Sequence, residues 1–99
     1  MITTDEVLQV LKRVIDPELG INIVDLGLVY DVAVEGDYVD IKMTMTTPAC
    51  PLYKHLTEQS ELQLRRSFPQ LRAVTIELVW EPEWNPMMMS WEATALLGG

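Results

Sequence analysis

The chain has 99 residues, of which 48% are hydrophobic and 22% are charged, and its formal net charge is -8. This composition excludes a disordered chain and is typical of a single globular domain, which we expect to comprise residues 1–99. The excess of acidic groups disfavours binding to nucleic acid or to anionic membranes, and no apolar run approaches the length of a membrane span.

The sequence also carries signals about its compartment. Cys50 is the only cysteine, so the chain cannot form an internal disulfide, which suits a reducing environment. The first residues lack the basic and apolar regions of a secretion signal. We therefore expect a cytoplasmic protein.

The first predicted element is a helix over residues 4–15. Thr3 and Glu6 match the capping box that begins many helices, and apolar residues then recur at helical spacing. Pro17 disfavours helical geometry in the residue before it, so the helix should end there.

A turn with two carboxylates, on Asp16 and Glu18, follows this helix. Asp and Pro favour turns and Gly20 can adopt a positive φ, so the segment needs no functional explanation. The interrupted apolar residues 21–26 predict a partly ordered connection, and Gly27 predicts a bend before the next element.

Alternating apolar and polar residues predict half-buried β-strands at residues 28–34 and 39–45. The Gly36-Asp37 pair between them is typical of a tight hairpin turn. Residues 52–67 predict a helix that ends at Phe68, and a third alternating run predicts a strand at residues 74–80. The predicted buried face of this helix contains Leu52, Leu56, Ser60 and Leu64.

The order helix, strand, strand, helix, strand predicts an α+β fold. A small mixed sheet of three or more strands would present one apolar face, which two helices must cover, so we expect a two-layer sandwich. A short C-terminal segment follows the third strand, with a helix expected near residues 90–97.

The cysteine lies between Pro48 and Pro51, where the second predicted strand gives way to the second predicted helix. Proline is favoured at the first position of a helix, so we expect Pro51 to begin the helix and Cys50 to cap it. Free N–H groups and the helix dipole would then favour a reactive thiolate. The alternative, that Cys50 is a small buried hydrophobic residue, stays open.

Other chemistry is poorly represented in the sequence. It contains no phosphate-binding loop, serine triad order, histidine-rich motif or CxxC pair. His55 lies five residues after Cys50, whereas helical neighbours lie three or four apart, so a thiol enzyme is disfavoured. Zinc sites and iron–sulfur clusters usually take four ligands, so one thiol could hold a cluster only if a homodimer, a partner or a small thiol supplied the others.

Several sequence blocks resemble a known family. They are Asp16-Pro17-Glu18, Asp25-Leu26-Gly27-Leu28-Val29-Tyr30-Asp31 and Met43-Thr44-Met45-Thr46-Thr47-Pro48-Ala49-Cys50-Pro51, followed by Trp84 and Met89-Ser90. In this order they resemble the SufT/PaaD-like family of iron–sulfur cluster assembly factors, related to eukaryotic cytosolic assembly factors. The Thr-Thr-Pro-x-Cys-Pro portion is specific, whereas the Asp-Pro-Glu turn alone is not. The sequence lacks the cysteine-rich extension of PaaD proteins, so we expect a SufT-like factor.

The resemblance implies both a function and a site. The implied function is a non-enzymatic maturation factor that delivers iron–sulfur clusters to client proteins, with a transient cluster and none in the resting isolated chain. In the implied site, Cys50 serves as transient metal ligand or contact thiol. The other members, carried over by motif, are Thr46, Thr47, Asp16, Glu18 and Leu19. The resemblance, not the spacing, places the acidic turn beside the cysteine.

The C-terminal segment supports a competing interpretation. Two of the three tryptophans and three of the six methionines fall within residues 84–91. Strand alternation predicts that Trp80 points inward, and Trp84 should also close the core. The residues then left for a partner or a second copy are Met87, Met88 and Trp91. In this alternative the chain is a non-metal interaction adaptor and its cysteine is incidental.

Overall fold

The computed structural model describes residues 2–46 and 52–96. The element order is α1 (Thr4–Leu11), β1 (Ile15–Asp16), β2 (Ile21–Asn22), β3 (Val29–Glu35), β4 (Tyr38–Met43), α2 (Tyr53–Ser67), β5 (Ala73–Leu78), a 3-10 helix (Pro86–Met88) and α3 (Trp91–Leu96). The predicted α+β fold is confirmed, and α3 matches the short helix expected near the end of the chain. Within the described ranges, no helix has both the length and the apolar character that crossing a bilayer needs.

A three-stranded mixed sheet forms one layer of the molecule. β4 lies in the middle, antiparallel to β3 and parallel to β5. Val39, Ile41 and Met43 of β4 are each no more than 2% exposed, and they belong to the core that α1 and α2 cover. The β3–β4 hairpin turns at Gly36, whose φ of 60° favours glycine, as the sequence predicts. The result is the expected two-layer sandwich.

α1 begins as predicted. The Thr3 Oγ1 accepts a hydrogen bond from the Glu6 N–H at 3.2 Å, and the Glu6 carboxylate accepts one from the Thr3 N–H at 3.1 Å. This reciprocal pair satisfies two of the N–H groups that a helix start leaves without partners. The capping box is therefore confirmed.

The chain after α1 is more ordered than predicted. β1 pairs antiparallel with β2, so the helical extension to Ile15 is wrong. The partly ordered connection expected at residues 21–26 consists of β2 followed by turns. The Ile23 N–H donates to the Val14 carbonyl at 3.0 Å, and Ile23 and Leu26 are fully buried. Burial of these side chains and pairing of the backbone outweigh the weak local helix pattern.

α2 begins later than predicted. Leu52 is the N-cap, and its carbonyl accepts the first helical hydrogen bond from the Leu56 N–H at 2.9 Å. The prediction that Pro51 begins the helix and Cys50 caps it is therefore wrong, although Cys50 itself lies outside the described residues. The buried face agrees with the prediction and contains Leu56, Ser60 and Leu64, and the helix ends at Phe68.

The two tryptophans expected in the core differ. β5 ends at Leu78, so Trp80 lies beyond the strand and is 40% exposed, and its predicted inward position is wrong because the strand alternation has ended. Trp84 packs against the core as predicted, and its Nε1–H donates to the Leu26 carbonyl at 2.8 Å.

Candidate functional site

One end of the sheet leads into the cysteine segment, and a row of backbone hydrogen bonds organises it. The Thr44 N–H donates to the Leu28 carbonyl at 2.8 Å, and the Leu28 N–H donates to the Ile23 carbonyl at 3.0 Å. Ile23 in turn donates to Val14 at 3.0 Å. Segments joined by such backbone hydrogen bonds lie about 5 Å apart, so these three hydrogen bonds keep the backbones of Val14 and Thr44 within roughly 15 Å of each other. The β1–β2 pair, which carries the acidic turn, is therefore attached to the same end of the sheet as Thr44.

The acidic turn is built around Asp16. This side chain is 3% exposed, and its Oδ1 accepts a hydrogen bond from the Glu18 N–H at 2.8 Å. Gly20 closes the turn with a φ of 70° and donates its N–H to the Asp16 carbonyl at 2.7 Å. The predicted turn chemistry is confirmed. Glu18 and Leu19 are exposed, so they are the members of the turn that can meet another molecule.

The C-terminal segment closes over the same end of the sheet. The Tyr30 hydroxyl donates to the Pro82 carbonyl at 2.7 Å and also lies 3.4 Å from the Met88 sulfur. The Ser90 N–H donates to the Asp25 carbonyl at 2.7 Å. These bonds join residues far apart in the sequence and hold the segment in place.

Tyr30 lies under this segment, and its burial raises the pKa of the phenol. The neighbouring Thr44 hydroxyl lowers that pKa to a smaller extent. Thr44 is fully buried, yet its Oγ1 meets no atom of the described residues at hydrogen-bond geometry. The contact between these two hydroxyls is therefore weaker than the Tyr30 bond to the Pro82 carbonyl.

Thr46, the last described residue before the cysteine segment, borders a cavity of about 220 Å³. The C-terminal segment supplies the opposite wall, with Trp80 and Trp84 as apolar sides and two exposed carboxylates. The lining residues are Met45, Thr46, Trp80, Glu81, Glu83 and Trp84. Its aromatic faces and carboxylates can accommodate a cationic group.

The sequence did not predict Trp80, Glu81 and Glu83 as neighbours of Thr46. The local signal is present, since two glutamates flank one proline just before a tryptophan. Their position beside Thr46 depends on how the C-terminal segment returns to the sheet, and no local pattern encodes that path.

The remaining predicted site residues fall into two groups. Cys50 and Thr47 lie outside the described residues, so the meeting of the acidic turn with the cysteine stays a prediction. No cavity described around Thr46 includes the turn. In residues 2–46 and 52–96, no group of three or more His, Cys, Asp or Glu side chains could hold a metal ion.

The proposed partner surface is only partly exposed. Met87 is 94% exposed and Trp91 is 82% exposed, whereas Met88 is half-buried against the Tyr30 hydroxyl. Met88 is therefore less available to a partner than Met87 and Trp91, and the partner surface stays a prediction.

Comparison with known proteins places this arrangement in a family. Residues 4–78 match the sequence profile of the iron-sulfur cluster assembly protein family. The chain is 40% identical over 97 residues to an Fe-S protein maturation auxiliary factor of Porphyromonas gingivalis, covering 97% of this chain and 91% of that protein. It is 42% identical over 86 residues to the Fe-S protein maturation auxiliary factor SufT of Staphylococcus aureus, covering 86% of this chain and 97% of that protein.

A solved structure shows the same fold. The crystal structure of a DUF59 domain from Bacillus anthracis superimposes with a TM-score of 0.91 at 39% identity, covering 95% of this chain and 90% of that one. The profile match spans the whole three-stranded sheet together with α1 and α2, and the sequence resemblance to SufT-like proteins is confirmed. The chain belongs to the iron–sulfur cluster assembly protein family.

Proposed function

We propose that this protein is a maturation factor that helps to assemble or deliver iron–sulfur clusters to client proteins, and that it catalyses no reaction of its own. The observation that carries this proposal is membership of the family over residues 4–78, together with high coverage of relatives that are named as maturation factors. Its partners are then the assembly machinery and the client proteins, and the cluster is a transient cargo.

Within this function, Cys50 acts as a transient ligand or contact thiol. The structure supports a site at this end of the sheet, because Thr46 borders a cavity and the acidic turn is attached to the same end. Thr46 and Thr47 supply hydroxyl groups that can donate hydrogen bonds to a sulfur atom. Glu18 and Leu19 are exposed for contact with a client, and Asp16 holds the turn in shape.

The test is anaerobic activation of a cluster-requiring apoenzyme, with iron, sulfide and a small thiol supplied. The wild-type chain should accelerate activation, and Cys50→Ser should abolish the acceleration. Thr46→Val, which removes one hydroxyl beside the thiol segment, should slow it by about tenfold. Thr75→Val is the matched control, since it removes an exposed hydroxyl on the far side of the sheet and should leave the rate unchanged.

Two results would contradict the proposal at different levels. If Cys50→Ser accelerates activation of the apoenzyme as much as the wild type does, the thiol plays no part in the mechanism, although the maturation role would still stand. Failure of the folded wild-type chain to accelerate activation of any cluster-requiring client would overturn the maturation role itself.

A second candidate function is the interaction adaptor, which the exposure of Met87 and Trp91 favours. Large apolar side chains that are more than four-fifths exposed are typical of protein contact surfaces. The double change Met87→Asp, Trp91→Glu should weaken client capture without lowering the melting temperature. Changing Met88 would not be informative, because its half-buried sulfur lies 3.4 Å from the Tyr30 hydroxyl and the change would also disturb that contact. Unchanged client capture by the double variant would exclude the adaptor.

A further inference from the structure

β5 is an edge strand, and its outer edge pairs with no other described strand. The Val79 N–H, just beyond β5, donates to the Met43 carbonyl at 2.8 Å. Because backbone groups alternate along a strand, the odd-numbered residues of β5 direct their N–H and C=O groups toward β4. The groups of Val74, Ile76 and Leu78 therefore point to the open edge, where they form no hydrogen bond with a described residue.

This edge lacks the features that normally prevent strands from pairing. The opposite edge, at β3, has a bulge between Val29 and Asp31 and exposed carboxylates at Asp31 and Glu35. β5 is a regular strand of six residues without lysine, proline or a bulge. Such an edge is a ready template for another strand.

The apolar layer beneath β5 is also incomplete. The inward residues of β4 are buried, whereas Val74, Ile76 and Leu78 are only half-buried. A groove of about 560 Å³ runs between β5 and α2, lined by Ile76 and by Leu62, which is 41% exposed. Pairing along the edge would cover this groove as well as the backbone.

We propose that a second copy of this chain pairs with β5, antiparallel about a two-fold axis, to form a continuous six-stranded sheet. With Ile76 opposite Ile76 of the second copy, the residues that point their backbone groups outward become the hydrogen-bonded pairs. On the inner face Val74 then meets Leu78 of the second copy. On the solvent face Glu77 meets Thr75, so like charges do not face each other.

The charges on α2 favour a second copy as the occupant. Glu58 precedes Leu62 by four residues and Arg65 follows it by three, and all three line the groove. The two-fold axis sets the two α2 helices antiparallel, so Glu58 of one copy faces Arg65 of the other. Arg65 Nε lies 3.5 Å from Glu61 Oε2 within its own helix, so it joins a charge network that the second copy extends. This self-complementarity is what a two-fold interface requires.

The inference goes beyond the proposed function, and its test uses the full chain without metal. Sedimentation from about 10 µM to about 1 mM should show a monomer–dimer equilibrium. Leu62→Lys, which places two like charges near the axis, should weaken association by at least about tenfold. Leu96→Lys is the matched control, since Leu96 is 74% exposed on α3 and outside the groove, and it should associate like the wild type.

Amide hydrogen exchange followed by NMR supplies a readout specific to the edge. At high concentration the amides of Val74, Ile76 and Leu78 should slow by at least about tenfold, whereas those of Thr75 and Glu77 should be protected at every concentration. A chain that stays monomeric at about 1 mM would overturn the proposal and leave the edge to an extended segment of another protein. A dimer that Leu62→Lys leaves intact would also overturn it. Cys50→Ser should dimerise like the wild type. A loss of maturation activity in that variant would therefore test the proposed function and not the proposed dimer.

Discussion

Gly27 shows how one residue can fix the position of a distant segment. Its φ is +80°, which side chains on L-residues rarely adopt. A Cβ built there would lie far inside normal contact distance of the Met88 carbonyl oxygen. The sequence predicts a bend at Gly27, but the reason for glycine is the close approach of the C-terminal segment.

The change Gly27→Ala should therefore cost more than the backbone strain alone. We expect a loss of about 3 kcal/mol or more in the free energy of unfolding, of which about 1–2 kcal/mol arises from the positive φ. Gly36→Ala is the control, because Gly36 has a φ of +60° but no atom within 4 Å of the added Cβ. Urea denaturation of both variants measures the difference, and equal losses would show that the contact with Met88 is not significant.

Local chemistry made several residues predictable. The capping box of Thr3 and Glu6, and the turn glycines at positions 20 and 36, depend on neighbours within a few residues, and all are confirmed. The end of α1 and the exposure of Trp80 were not predictable in the same way, because tertiary pairing decides them. The position of Glu81 and Glu83 in the candidate site was likewise not predictable, because it depends on the tertiary path of the C-terminal segment.

At the scale of elements, the C-terminal segment that follows β5 crosses the end of the sheet and is held there by hydrogen bonds. Two hydrogen bonds hold it in place. The Trp84 indole N–H donates to the Leu26 carbonyl, and the Ser90 N–H donates to the Asp25 carbonyl. Composition alone suggested either core or contact surface for this segment. The structure divides these roles, since Trp84 is fastened to the sheet while Met87 and Trp91 are exposed.

Trp80 and Trp84, two of the three tryptophans of the C-terminal segment, provide a matched test of its anchoring. Trp84→Phe removes the indole N–H and leaves the Leu26 carbonyl without that partner, so we expect a loss of about 1–3 kcal/mol in stability. Trp80→Phe makes the same chemical change at a side chain that is 40% exposed, and it should cost less than about 0.5 kcal/mol. Thermal and urea unfolding measure both. A larger loss for Trp80→Phe would mean that Trp80, not Trp84, anchors the segment.

At the scale of the whole molecule, the helices cover one face of the sheet and leave the other open. That open face carries Asp31, Glu35, Asp40 and Glu77 against a single lysine, Lys42, which accounts for part of the net charge of -8. An acidic face of this kind keeps copies apart face to face. Association through the edge of β5, where Glu77 would face Thr75 of the second copy, avoids that repulsion.

The geometry of the proposed dimer bears on how a transient cluster would be bound. In the proposed dimer the two β5 strands run in opposite directions, so the two ends of the sheet that carry Thr46 point away from each other. The two Leu78 residues are already about 13 Å apart along the strand direction, and each Thr46 lies further out. We therefore expect that a cluster on this dimer is not shared between the two copies of Cys50, and that its other ligands come from a client or from small thiols.

We therefore expect cluster uptake to be independent of dimerisation. Anaerobic reconstitution with iron, sulfide and excess small thiol should load Leu62→Lys to the same extent as the wild type, with the cluster carried on single chains together with small thiols. Cys50→Ser should remain unloaded in both backgrounds, which shows that the bound cluster depends on the one thiol of the chain. Native mass spectrometry distinguishes these species directly. A cluster found only on paired chains, and lost in Leu62→Lys, would contradict the separation of the two sites, because it would require the thiols of both copies to meet at one cluster.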